Sequence, residues 1–284
     1  MKRWLVLSSM LFIIGCASTP SYSEDTGRDV DFEMRQAIVW DKLETVKNII
    51  AQGYDVKKHS YRLLDAAGKG NYEITKLLLE NGANVNVRND IDYTPLHNAM
   101  GKAEKYVKTS ELLIQHGADV NARGGIRVSS GPGKWKHTPL HLAAREGNLE
   151  IVKLLIEHGA KIEAKDFNNA TPLFMAVTHK RKEVVKYLLE KGANINVRGR
   201  LYSDHREYPI HRAIESRQDD MAELLVAYGA DLNVKNQKGQ TPLQLAIDLE
   251  NERKNGRRNP WRSRYSYQEM IGFLKKAEEE KKKK

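Results

Sequence analysis

One threonine–proline pair recurs along this chain at a nearly fixed interval, and no other feature restricts the possible folds so sharply. TPLH stands at 94–97 and again at 138–141, TPLF at 171–174 and TPLQ at 241–244, with the variant YPIH at 208–211. Thr138 and Thr171 are 33 residues apart, as are Tyr208 and Thr241. A second marker follows each opening: GANVN from Gly82, GADVN from Gly117, GAKIE from Gly159, GANIN from Gly192 and GADLN from Gly229. The marker glycine comes 21 residues after the opening Thr or Tyr in four units and 23 in one. Two degenerate units open near Phe32 and Tyr61 and reach Gly53 and Gly82, again after 21 residues. Each unit is too small to bury its apolar face alone, so the units must stack.

The unit from 138 to 165 shows what each repeat contains. Thr138 can cap a helix, because its hydroxyl accepts from an otherwise unpaired backbone N–H. Pro139 suits the first helical position, where a missing N–H is harmless. A short helix through Leu140, Leu142, Ala143 and Ala144 follows, and Gly147 and Asn148 turn the chain. A second helix carries Leu149, Val152, Leu155 and Ile156 at helical spacing. Gly159 then supplies the left-handed conformation that ends many helices. Two units fill the inter-helix turn with Gly70 or Gly147, whereas Asp41, Lys180 and Arg217 stand there elsewhere, which predicts less regular turns. The terminal units depart from the pattern, as a solenoid end with one polar outer face requires.

On these residues the chain resembles the ankyrin repeat, a β-turn finger followed by two antiparallel helices with the TPLH signature. The likeness runs from Phe32 to about Ala277 and implies an all-α solenoid of about seven helix-turn-helix units with β-turn fingers. It also implies that the histidine of each TPLH or YPIH, namely His97, His141 and His211, hydrogen-bonds locally and ties units together. A feature repeated once per unit is structural, because active sites are single. His137 and His141 are four residues apart, but Pro139 puts a helix start between them, and a metal would want a third ligand. His116 and His158 precede helix-ending glycines, where a basic side chain favours the negative end of the helix dipole. No nucleophile, base and orienting group assemble outside the repeat pattern, so neither an enzyme nor a cofactor nor a metal is expected.

The N-terminus reads MKRWLVLSSMLFIIGCASTPSYS. Lys2 and Arg3 precede an apolar run of ten or eleven residues, too short for the about 20 that span a bilayer of about 30 Å. The residues before Cys16, Ile13-Ile14-Gly15, resemble the lipobox of bacterial lipoproteins, in which the cysteine is lipidated and becomes the new N-terminus. Cys16 is the only cysteine of 284 residues, so internal disulfides, a thiol nucleophile and a zinc cluster are excluded. Its acyl chains would each contribute about 0.8 kcal/mol per buried CH2 to a membrane anchor. The expected organisation is a signal peptide over 1–15, a lipidated cysteine and flexible tether over 16–30, the repeat domain over 31–278 and a charged tail over 279–284. Ala17 in place of aspartate implies the outer membrane, facing the periplasm, with the inner membrane or the cell surface as alternatives.

Charge matters next. The formal charge is +10, and loss of Lys2 and Arg3 with the signal leaves +8. Such a balance often suggests nucleic acid. The envelope address argues against it and leaves an acidic protein surface, anionic lipid or cell-wall polymer as partner.

Insertions mark where function can sit, because a regular repeat has no need of them. The interval from marker glycine to the next opening is 12 residues in the standard unit, 21 from Gly117 to Thr138 and 16 from Gly192 to Tyr208. The first long finger carries Arg123, Arg127, Lys134, Trp135 and Lys136; its GPGKW lacks the Ser or Thr and the preceding strand of a phosphate loop. The second carries Arg198, Arg200, Tyr202, His205 and Arg206. A third insertion, 251–267, separates the two helices of the last unit and holds Arg258, Trp261 and Arg262. Cations interleaved with aromatics suit an anionic partner, and Trp and Arg are enriched at binding hot spots. The plainer reading of each is a tolerated surface loop. From the family's contact mapping, Tyr93, Phe167, Arg145, Glu146 and His179 join the same face.

The expected protein is a monomer that binds a protein partner non-covalently, as an envelope scaffold or as an immunity-type sequestering protein. The alternative is binding of anionic envelope polymer or lipid through the basic loops.

Overall fold

The computed structural model describes residues 27–125, 136–200, 207–255 and 266–283. Among them, fourteen helices form seven consecutive antiparallel pairs. In order these are α1 (Gly27–Val39) with α2 (Leu43–Ala51), α3 (Arg62–Lys69) with α4 (Tyr72–Glu80), α5 (Pro95–Asn98) with α6 (Glu104–Gln115), and α7 (Pro139–Glu146) with α8 (Leu149–Glu157). Then come α9 (Pro172–Thr178) with α10 (Lys182–Glu190), α11 (Pro209–Glu215) with α12 (Asp219–Ala227), and α13 (Pro242–Lys254) with α14 (Gln268–Lys282). First helices pack on first helices of the next pair and second helices on second, giving two layers. One continuous core runs through all seven pairs, from Met34 and Ile38 through Leu78, Leu113, Leu155, Leu188 and Leu225 to Leu274. The predicted solenoid is the observed one.

Local chemistry sets each boundary. Thr94 and Thr138 form capping boxes with the histidine three residues on, and Thr171 and Thr241 accept from the N–H of Phe174 and Gln244. Asn71 and Asn148 cap α4 and α8 through the N–H of Ile74 and Ile151. Five of the inter-helix turns share one left-handed residue, including the three where irregularity was expected. Asp41, Lys180 and Arg217 adopt φ of 55°, 60° and 52°, the same left-handed region as Gly70 and Gly147. Packing of the two helices imposes the turn, and a left-handed non-glycine residue costs only about 1–2 kcal/mol. The third unit differs in both helices and turn: its two extra residues go with a four-residue α5, a twelve-residue α6 and a turn over 99–103 in which no residue takes a positive φ.

Adjacent units are also stitched by side chains of the marker stretch. Asn86 donates to the Gly117 carbonyl (3.0 Å) and accepts from the Asp119 N–H (2.8 Å). Asn121 repeats this with Gly159 and Lys161, at 3.0 and 2.8 Å. Glu163 accepts from the Asn194 N–H and Asn196 from that of Asp231.

Both ends depart from expectation. Helix α1 starts at Gly27, so the last four residues assigned to the tether are helical, where Asp31 bonds Arg62 and Tyr54 of the next unit. Helix α14 continues to Lys282, through most of the expected tail, because Lys281 reaches back to the Ala230 carbonyl. Phe32 is 59% exposed and Trp40 69%, so the first unit does not present a wholly polar outer side. No helix of the described residues is long and apolar enough to cross a membrane.

Candidate protein-interaction surface

The repeat histidines belong to the framework that carries this surface. His97 and His141 are buried, and their Nδ1 atoms accept from the N–H of Thr94 (3.2 Å) and Thr138 (3.1 Å). Accepting at Nδ1 leaves the proton on Nε2. His97 Nε2 therefore donates to the His137 carbonyl of the next unit (3.1 Å), and His141 Nε2 to the Ala170 carbonyl (3.0 Å). Burial, which penalises the imidazolium, lowers both pKa values to about 4. His211 makes the equivalent bond to the Gln240 carbonyl (2.9 Å), and burial lowers its pKa too. Its Nδ1 has no hydrogen-bond partner among the described residues, and Tyr208 stands where the TPLH units have threonine. His137 sits with Asp166, Nε2 to Oδ2 at 3.3 Å, inside the finger base. Among the described residues no three His, Cys, Asp or Glu side chains gather as a metal would need.

His116 and His158 each place Nδ1 against the carbonyl four residues earlier, at 2.9 and 2.8 Å from Leu112 and Leu154. They cap helix ends, consistent with the expected terminal role.

The fingers project from this framework on paired bases. Gly124 N–H donates to the His137 carbonyl (3.0 Å), and Gly199 and Glu207 exchange two backbone bonds. Both long fingers are thus closed at the base whatever follows. Gly124 must lack a side chain: a Cβ there would lie 2.4 Å from the Asp92 carbonyl oxygen of the preceding finger. The fingers are then linked in series. Arg88 donates to the carbonyls of Asp92 (3.1 Å) and Arg123 (3.0 Å), Arg123 donates to the Lys165 carbonyl, and Arg200 clasps the Asn168 amide oxygen at 2.9 and 3.1 Å.

The third insertion also leaves the fold from a fixed base. Glu250 is buried and accepts from Arg253 (2.7 and 2.9 Å), the Tyr267 N–H (2.9 Å) and Gln268 (3.3 Å). The Arg253 hydrogen bonds lead in holding its carboxyl well below the usual range. Arg217 lies over the Tyr267 ring at 4.3 Å and donates to the Ser266 carbonyl. The insertion expected over 251–267 does lie between the last two helices, but α13 continues to Lys254, so the first four residues assigned to it are helical, and α14 begins at Gln268.

Of the residues singled out for partner contact, Lys136 and Arg145 are described. Lys136 is exposed with φ 34°, where the long finger returns to its base. Arg145 lies in the last turn of α7, pairs with Glu146 (3.0 Å), and its carbonyl accepts from Arg181 (2.9 Å). Arg127, Lys134, Trp135, Tyr202, Arg206, Arg258, Trp261 and Arg262 lie outside the described residues, as does Cys16. Phe167 is 49% exposed on its finger, while Tyr93 is half-buried and stacked on His97 at 4.9 Å. His179 bonds the Met175 carbonyl (2.9 Å) and is a helix cap. Sequence reasoning missed Asn86, Asn121, Asn196 and Glu163; their shared register was visible, but a polar surface residue does not announce a partner one unit away.

Comparison with known proteins agrees with this architecture. The family model described as ankyrin repeats (3 copies) matches residues 34–124 and 126–199, and that described as ankyrin repeats (many copies) matches 199–246. Inversin of Canis lupus familiaris is 32% identical over 158 residues, 54% of this chain and 14% of that protein. Ankyrin repeat and SOCS box protein 16 of Homo sapiens is 29% identical over 211 residues, 72% of this chain and 44% of that protein. Palmitoyltransferase ZDHHC13 of Mus musculus is 36% identical over 151 residues, 24% of that protein's length. The chain therefore spans less than half of each of these relatives. The crystal structure of the human ASB11 ankyrin repeat domain superposes with a TM-score of 0.61 and 28% identity, covering 75% of this chain and 90% of that one. Repeats of this kind bind other proteins, and the chain belongs to the ankyrin-repeat family.

Proposed function

We propose that this protein is a lipid-anchored, non-catalytic binding protein of a bacterial envelope that holds a protein partner against its finger side. The observation that carries the binding surface is the pair of enlarged fingers rising from closed backbone bridges, Gly124 with His137 and Gly199 with Glu207. A rigid base presenting an enlarged loop is how scaffolds position recognition residues. Lys136 and Arg145 on this side, with the cations and aromatics of the insertions, suit a partner with an acidic surface. The non-catalytic reading rests on the histidines, whose rings are buried or bonded to backbone carbonyls. The anchor rests on Cys16 after Ile13-Ile14-Gly15, and places the repeats in the periplasm at the outer membrane as a scaffold or an immunity-type sequestering protein.

Two measurements test the two halves. Cys16→Ser should abolish lipid labelling and leave the protein unprocessed or released from membranes; unchanged processing and equal membrane recovery would refute the anchor. Shortening the finger between Gly124 and His137 to the standard length should leave melting unaltered and abolish capture of the partner. A second reading, binding of anionic envelope polymer or lipid, is favoured by the basic insertions; loss of binding in moderate salt would select it, and retention would select a packed protein interface.

A further inference from the structure

Six residues beyond each of the five marker glycines stands a cation: Arg88, Arg123, Lys165, Arg198 and Lys235, one per unit in five successive units. Their setting differs from that of four lysines on the second helices. There Lys76 pairs with Glu80 (4.0 Å), Lys108 with Glu104 (3.2 Å), Lys153 with Glu150 (2.9 Å) and Lys186 with Glu190 (4.0 Å), each about one turn away, while Lys105 of α6 lies over the Tyr106 ring instead. In the finger row, Arg88, Arg123, Lys165 and Lys235 are exposed, and no carboxylate among the described residues pairs with any of them. Arg88 and Arg123 instead donate to the carbonyl at the next row position, which fixes each guanidinium one unit along while leaving its charge bare. Arg198 lies over the Tyr208 ring at 5.3 Å. Asp90 is exposed on the same finger as Arg88 without pairing to it, and Asp119 and Asp231 each engage a nearby backbone N–H.

We infer that this row is a docking surface for an extended acidic segment of a protein partner, one carboxylate meeting each unit; the inference rests on the protein-binding reading above. The charge pattern and the repeat spacing together favour that occupant. Packed helices lie about 8–10 Å apart, so successive cations are spaced by about that distance. An extended segment in the polyproline II conformation has about three residues per turn and advances about 3.1 Å per residue, so every third side chain returns to the same face at about 9 Å. A guanidinium with one edge on a carbonyl keeps further N–H donors in its plane for a carboxylate.

The test uses the purified full chain and three probes: a labelled peptide with Glu at every third position, one of the same composition with its Glu residues clustered at one end, and inorganic polyphosphate. One variant combines Arg88→Gln, Arg123→Gln, Lys165→Gln and Lys235→Gln, in which glutamine retains a donor for the finger carbonyls. A control combines Lys76→Gln, Lys108→Gln, Lys153→Gln and Lys186→Gln, removing the same charge from the outer helices. The parent and the control should bind the spaced peptide about tenfold more tightly than the clustered one, and the row variant should lose that preference while melting like the parent. Equal binding of both peptides by the parent, or an unchanged preference in the row variant, would overturn the inference. So would polyphosphate binding the parent more tightly than the spaced peptide and losing its affinity in the row variant, which would assign the row to a polymer. A native partner that the row variant still captures would sink the row while leaving protein binding intact.

Discussion

At the scale of single residues, the histidines show how a group with catalytic potential is retired to structure. His141 uses both ring nitrogens, Nδ1 toward Thr138 and Nε2 toward Ala170, and is fully buried. His141→Ala should therefore lower stability by roughly 1–3 kcal/mol, the cost of unpaired buried groups, and chelators should leave melting unchanged. The depressed pKa values add a pH dependence. Below the ordinary histidine value near 6.5 the unfolded chain takes up protons that folded His97 and His141 refuse, since both stay neutral down to about pH 4. Their contribution is complete above pH 6.5 and is lost as pH falls toward 4. Urea unfolding should give a stability roughly 2–4 kcal/mol lower at pH 5 than at pH 7, and His141→Ala should flatten that slope by about half. A slope unaffected by the substitution would place the titrating groups elsewhere. Asp31 acts in the opposite corner of the scale: burial alone would raise its pKa, but bonds from Arg62 and Tyr54 hold it at about 2.

At the scale of elements, what the sequence revealed and what it hid follow from range. Helix starts were legible because Thr-Pro caps act within four residues, and helix stops because Gly53, Gly82, Gly117, Gly159, Gly192 and Gly229 all take φ between 82° and 97°. The turns at Asp41, Lys180 and Arg217 were misread, because pairing of whole helices outweighs one residue's preference. That has a measurable consequence. Lys180 is exposed at φ 60°, so Lys180→Gly should raise stability by about 0.5–1 kcal/mol, net of glycine's extra unfolded-state entropy. Gly147→Ala should do the reverse, since its φ is 83° and a Cβ would meet Arg181 Cδ at 2.5 Å. The Asn86 and Asn121 stitches were hidden because their partners lie 31 to 40 residues away and only the stacked fold brings them close. The long finger exceeds the standard interval by nine residues, 21 against 12, on a base already closed by Gly124 and His137. Loop entropy changes slowly with length, so trimming it should barely alter melting. If it is a recognition element, Trp135→Ala alone should weaken capture by about 2 kcal/mol. Binding by the trimmed protein equal to that of the parent would make the finger a tolerated insertion and turn attention to Trp261.

At the scale of the whole molecule, the two layers divide labour by charge. Four lysines of the second helices, Lys76, Lys108, Lys153 and Lys186, have a carboxylate one turn away, whereas Arg88, Arg123, Lys165 and Lys235 on the finger side, which also carries both enlarged fingers, have none among the described residues. A solenoid with this asymmetry has one side suited to an anionic surface and one suited to solvent. The most direct test of binding through the finger side is site-specific photo-cross-linking in the native cell. A photoreactive phenylalanine would replace Phe167 or Lys235 on the fingers, and Tyr72 or Tyr228 on the second-helix layer, all of them exposed. The same discrete adduct should form from Phe167 and Lys235 and be absent from Tyr72 and Tyr228. Adducts from the second-helix positions instead, or none from either finger, would contradict the account.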